Sequence, residues 1–181
     1  MAWYNSFIFF LLSLLLAGFF RGIETAFITA DRLSVELRKK QGKQSSLFIS
    51  QMLDEPLKFL GSSLTGFNIF LVIYGLLFSM TLSELWRFLK MQNDYFSLTT
   101  EIIIASLIAI LFIEFTPKAF FKAKADTVLA YFTPLFSFFY GIFQPLAALL
   151  ADVSGYILKY LFNVRIKKTD EPFSKVDVDY F

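Results

Sequence analysis

The chain has 181 residues, 56% of them hydrophobic and 25 of them phenylalanine, with a mean hydropathy of +0.60 and a net charge of +2. Such a chain is far too oily for an ordinary soluble domain and reads as a membrane protein. With no cysteine and no histidine, it excludes disulfides, thiolate metal sites, zincin motifs, a serine-histidine dyad and imidazole ligands.

Uncharged runs cover residues 1–20, 59–83 and 127–151, and a shorter one, 102–113, lies between Glu101 and Glu114. The three long runs meet the roughly 20 residues a helix needs to cross the hydrocarbon core. They are solid rather than alternating, so helices and not a barrel satisfy the backbone in lipid. The start, MAWYNS, has no basic residue and so lacks the n-region of a cleavable secretion signal, which makes the first segment a retained span. An intramembrane aspartyl protease would need two buried Asp, yet every Asp lies at or beyond a segment end. The chain is therefore not expected to be an enzyme.

The expected spans are 5–30, 59–81 and about 97–120, the last accepting Glu114 and Lys118 near its end. Basic residues set the sidedness. Arg32, Arg38, Lys39, Lys40, Lys43 and Lys58 lie between the first and second spans, against only Arg87 and Lys90 between the second and third. The first loop is thus predicted cytoplasmic and the N-terminus outside.

Within that loop, DRLSVELRKKQ predicts a short helix ended by Gly42. Leu47 to Leu60 predicts another, kinked at Pro56, with Ile49, Met52, Leu53, Leu57 and Leu60 at helical spacing. Both can rest on the membrane surface; the plainer reading is a solvated basic loop.

The run at 127–151 is flanked on both sides by basic residues, and Pro134 and Pro145 are predicted to break it into shorter helices. It is read as interfacial, with a cytoplasmic C-terminus, and a straight fourth crossing stands as the alternative. The fold class expected is therefore all-α, with three transmembrane helices and amphipathic juxtamembrane helices at about 31–57 and 127–162 forming a cytoplasmic-side belt. Residues 1–162 make the membrane domain and 163–181 a polar tail.

Each span carries a polar spot. In the first, Gly18, Gly22, Ala26 and Ala30 form a ladder of small residues on which another helix can approach, and Arg21, Glu24, Thr25 and Thr29 adjoin it. Arg21 and Glu24 are close enough round the helix to pair with each other, or to snorkel, and neither use requires a site. In the second, Gly61, Thr65, Asn68 and Gly75 share a face; a lone Asn in a span is more often an interhelical hydrogen bond than a ligand.

In the third, Glu114 stands three residues before Pro117. Proline has no amide hydrogen, so the carbonyl of Ile113 loses its α-helical partner and becomes a free oxygen beside a carboxylate. The alternative is a Glu114 to Lys118 pair that merely closes the helix end. Glu24, Glu114, Asn68, Thr25, Thr65 and the Ile113 carbonyl together form a set of hard oxygen donors, suited to Mg2+ or Na+ rather than a soft metal.

Three segments, in order, carry a resemblance: Phe20-Arg21-Gly22-Ile23-Glu24-Thr25-Ala26, Leu64-Thr65-Gly66-Phe67-Asn68, and Glu114-Phe115-Thr116-Pro117-Lys118-Ala119. In these the chain resembles the transmembrane domain of the CNNM/CorC magnesium transporters, including bacterial members labelled hemolysin-like. The likeness runs from about residue 5 to the tail SKVDVDYF.

The resemblance implies an integral protein of a bacterial inner membrane with three spans, a helical belt and a homodimer, and no nucleic-acid partner. It further implies an inward-facing Mg2+ site between the spans, with export coupled to Na+. Family members continue into paired CBS domains that bind adenine nucleotide. None lies within these residues, which implies a piece of a longer protein.

Two positions depart from the family's pattern. Arg21 stands where the family usually has Ser, and Phe67 where it usually has the first Asn of a Gly-Asn pair. Each exchange removes an oxygen donor and one adds a permanent positive charge. A guanidinium about 5 Å from Mg2+ would repel it by roughly 6 to 7 kcal/mol at an effective dielectric near 20. Two readings follow: Arg21 replaces the metal, paired with Glu24 and Glu114 in a non-transporting scaffold, or it turns to the interface and leaves Glu24, Asn68 and Glu114 free.

Overall fold

The computed structural model describes residues 2–41, 44–88 and 94–161, nearly all of them in helices. Gly42, Lys90 and the polar tail at 163–181 lie outside the described residues. In chain order the helices are α1 (Ala2–Thr29), α2 (Arg32–Lys40), α3 (Gln44–Asp54), α4 (Pro56–Phe88), α5 (Asp94–Ile108), a π-helical segment (Ala109–Phe115), α6 (Thr116–Ala123) and α7 (Ala125–Leu161). Among the described residues, four stretches are long and apolar enough to cross a membrane: Ser6–Thr29, Pro56–Arg87, Tyr95–Ala123 and Ala125–Ser154.

Helix α1 is the axis of the bundle, packed on α4, on the π segment and α6, and on α7. Its small residues make that approach possible. A Cβ at Gly18 would lie 3.1 Å from the Pro117 ring and 3.3 Å from the Phe112 carbonyl, and one at Gly22 would lie 2.5 Å from the Phe121 ring. From α4, Gly66 leaves room in the same way for the ring of Phe20. The ladder expected in the first span is thus the surface on which the third segment rests.

The core follows from these close approaches. Phe20, Ile23, Phe27, Phe59, Leu129 and Phe136 are buried together, with Phe27 and Phe59 stacked at 3.9 Å between centroids. A second cluster toward the start of α1 gathers Phe10, Ala17, Tyr74, Phe78 and Ile113. In lipid such packing rests on dispersion and interhelical hydrogen bonds rather than on water release. Two of those bonds are visible: the Ser63 hydroxyl donates to the Phe20 carbonyl at 3.0 Å, and the Tyr74 hydroxyl to the Ala105 carbonyl at 2.8 Å.

Between the first two long helices, α2 and α3 pack against each other as a hairpin. Asp31 caps α2 by accepting from the Leu33 amide at 3.1 Å, and the last turn of α2 carries Arg38, Lys39 and Lys40, where cations suit the helix dipole. Val35, Ile49 and Met52 are buried in the main core, and Phe48 meets Tyr140 edge-on at 5.5 Å. The hairpin is therefore amphipathic and packed, not a solvated loop. Pro56 does not kink one helix; it opens α4, the first position of a helix being where its missing amide hydrogen is harmless.

The sequence predicts that Pro134 and Pro145 break the 127–151 run, and here the structure differs: α7 is continuous from Ala125 to Leu161 with both prolines inside it. Each proline removes one hydrogen bond from a helix of 37 residues, and both rings face outward, while the opposite face packs along α1, α3 and α4. Beside Pro134, the Thr133 hydroxyl donates to the Leu129 carbonyl one turn back, and the carbonyl deprived of an amide partner by the proline is that of Ala130. At 1.5 Å per residue α7 is about 55 Å long, well beyond the roughly 30 Å hydrocarbon core. Composition permits it to cross, so the structure presents four candidate spans where the sequence predicts three.

Candidate functional site

The π segment decides where the acidic group of the third span points. Its backbone pairs residue i with i+5, ending with the Thr116 amide on the Leu111 carbonyl. A widened stretch of this kind acts like one inserted residue, about 100° of rotation for everything that follows. In the α register Pro117 would strip the Ile113 carbonyl of its partner. The π register ends at Phe115, where α6 begins, and the Phe112 carbonyl oxygen lies against Gly18. Ile113 itself is 1% exposed and its side chain belongs to the core around Tyr74.

Glu114, on the π segment, meets α1 through Arg21. The guanidinium donates to Glu24 Oε2 at 2.9 Å with one nitrogen and to Glu114 Oε1 at 2.9 Å with the other. Lys118 donates to the same Glu114 oxygen at 2.6 Å. Two cations and two carboxylates thus form one chain, Glu24–Arg21–Glu114–Lys118. Its inner end is enclosed, Glu24 being 13% exposed and Arg21 22%, whereas Glu114 is 45% exposed and opens outward.

Below the guanidinium is Phe67 of α4, with the Arg21 carbon 5.3 Å from the ring centroid. The ring face attracts the cation, and the distance is within the range where such contacts count. Arg21 Nε is buried without a hydrogen-bond partner, so the ring and the two carboxylates are what hold this side chain. The contact was not legible in the sequence, where Phe67 reads only as a lost oxygen donor.

The remaining candidates of the sequence fall into place one by one. The Thr25 hydroxyl donates to the Arg21 carbonyl at 2.9 Å, and Thr65, buried, donates to the Gly61 carbonyl at 2.8 Å. Asn68 is exposed and its amide nitrogen donates to the Leu64 carbonyl at 2.9 Å, one turn back on its own helix. Pro117 packs against Gly18. The structure thus brings together Arg21, Glu24, Glu114, Lys118 and Phe67, while Thr65 and Asn68 spend their hydrogen bonds locally. Among the described residues, no group of three or more Asp or Glu comes near enough to hold a metal ion.

An open groove of about 560 Å3 runs beside this chain, lined by Thr25, Ile28, Ile110, Glu114, Phe115 and Lys118 among others. It is the path by which solvent or lipid reaches Glu114. Lys118 and Lys122, one turn apart on α6, line one side of it.

Comparison with known proteins bears on what this arrangement is for. The family model described as the Cyclin M transmembrane N-terminal domain matches residues 7–179. No curated protein matches the chain.

Proposed function

We propose, taking as premise that this chain belongs to the Cyclin M transmembrane family, that it is a membrane domain of the divalent-cation transporter type in which an arginine holds the place of the cation. The family membership links the domain to divalent-cation transport, and the apolar helices put it in a lipid bilayer. The observation that carries the rest is Arg21, held at 2.9 Å from both Glu24 and Glu114. A planar fork with fixed donors bridges the two carboxylates as Mg2+ would, and puts a permanent positive charge where the metal's charge would have to stand.

Occupancy by the two cations is exclusive. Mg2+ ligated by the same carboxylates would stand about 5 Å from the guanidinium, a repulsion of roughly 6 to 7 kcal/mol. The whole binding energy of a micromolar site is about 8 kcal/mol. Lys118 on Glu114 adds a second cation to overcome. On this reading the domain is a non-transporting scaffold. It anchors, as a homodimer, a cytoplasmic portion that includes CBS domains, with the N-terminus outside, the basic hairpin inside and α7 part of an inner belt.

A second reading is favoured by the exposure of Glu114 to the groove. Arg21 swings out, and Glu24, Asn68 and Glu114 carry Mg2+ in Na+-coupled efflux. The two readings separate on saturable Mn2+ or Mg2+ binding to the purified domain, wild type beside Arg21→Ser. On the scaffold reading the wild type shows none and the serine variant gains it. Saturable binding by the wild type, abolished by Glu114→Gln or Asn68→Ala, defeats the scaffold reading and supports transport.

A further inference from the structure

At the end of α1 the apolar groove meets a second one, of about 580 Å3, and the two share Thr29 and Lys122. The first is floored by Ile28, Ile110 and Phe115, each more than half exposed to whatever fills it. The second is polar and carries Arg38, Lys122 and Lys124 against a single carboxylate, Asp126. That carboxylate is already engaged, accepting the Asp31 amide at 3.1 Å, and Arg38 is tethered to the groove wall by donating to the Asp126 carbonyl at 3.4 Å. Lys122 and Lys124 are exposed at the mouth.

An apolar trough that opens into a basic pocket, on the face of a membrane bundle, matches one ligand chemistry in both halves. We propose that the paired grooves bind one anionic glycerophospholipid, an acyl chain lying along Ile28, Ile110 and Phe115 and the phosphate held by Lys122, Lys124 and Arg38. Neither half suffices alone: apart from Lys122, which the two share, the trough's charges are Glu114 and Lys118, already paired with each other, and the pocket's lining is mostly polar and cannot hold a chain. Basic pockets between membrane helices at the charged end of a bundle recognise acidic headgroups in this way. The proposal is independent of whether Arg21 has replaced a cation, because none of its phosphate-holding residues belongs to that cluster.

The test is lipid binding to the purified chain in detergent, read by native mass spectrometry and by the thermal midpoint. Phosphatidylglycerol is titrated beside phosphatidylcholine and inorganic phosphate. One phosphatidylglycerol per protomer is expected to bind at least tenfold more tightly than phosphatidylcholine and to raise the midpoint, with inorganic phosphate neither raising it nor competing. Lys122→Gln with Lys124→Gln should weaken phosphatidylglycerol about 30-fold and leave phosphatidylcholine unchanged. Ile28→Trp, or Ile110→Phe where the first is poorly made, should fill the trough and weaken both lipids.

Equal binding of the two lipids, or an unchanged affinity in the double lysine variant, overturns the proposal. Competition by inorganic phosphate would reassign the pocket to a free anion. A dimer that carries no lipid would assign the trough to a second copy of the chain.

Discussion

The Arg21 guanidinium of α1 lies over the Phe67 ring of α4, 5.3 Å from its centroid. The ring does for the cation what an amide oxygen cannot do in the same space: it offers a broad apolar face that shields the guanidinium from lipid while attracting its charge.

A double-mutant cycle measures this contact. Phe67→Ala and Arg21→Gln, alone and together, should show a coupling of about 1 kcal/mol in unfolding free energy, since the site is only partly enclosed. Additive losses would mean that the ring merely fills space.

Glu114 Oε1 receives both Arg21 and Lys118, at 2.9 and 2.6 Å. Glu114→Gln keeps an acceptor but leaves two cations facing a neutral group, for a loss of about 2 kcal/mol. Adding Lys118→Met should return part of that loss, because it removes one of the two like charges. Denaturation midpoints in detergent decide it: a double variant weaker than the single would show that Lys118 stabilises through something other than this oxygen.

The glycines divide sharply. Gly22→Ala would press a methyl to 2.5 Å from the Phe121 ring, and Gly66→Ala to 2.7 Å from that of Phe20. Each should cost about 1 to 3 kcal/mol, as overpacking does. At Gly75 and Gly141 nothing lies within 4 Å of such a methyl, so alanine there should be neutral or raise stability by about 0.5 to 1 kcal/mol. Melting midpoints of the four single variants check the order.

Two hydroxyls tie helices together across lipid-depth backbone. Ser63→Ala removes the bond from α4 to the Phe20 carbonyl of α1, and Tyr74→Phe the bond from α4 to the Ala105 carbonyl of α5. Losses of about 0.6 kcal/mol, and no more than about 1.7, are expected for such bonds in a membrane. Hydrogen exchange at the α5 backbone should rise in Tyr74→Phe and not in Ser63→Ala.

Much of this fold is written in local spacing. The i,i+3 and i,i+4 intervals put Glu24 under Arg21 and Lys118 under Glu114, and both pairs exist. The four-residue rhythm of Gly18, Gly22 and Ala26 marks the face that the third segment covers. What stayed hidden depended on neighbours. A proline advertises its local cost, but the packing that carries α7 through Pro134 and Pro145 comes from three other helices. The π segment has no periodic signature in AILFIEF, so the register that aims Glu114 at Arg21 could not be counted out in advance. Asn68 shows the converse: a polar residue in a promising motif, one position from Phe67, faces outward and bonds its own helix.

The order in which the charges are paired has a bearing on how the protein is made. Glu24 neutralises Arg21 within a single helix, and Lys118 neutralises Glu114 within another, so each segment can leave the translocon carrying its own counter-ion. Only the bond from Arg21 to Glu114 waits for two inserted segments to meet. Biogenesis thus hands the bilayer two electrically balanced pieces, and their final joint doubles as the proof that they have docked in register.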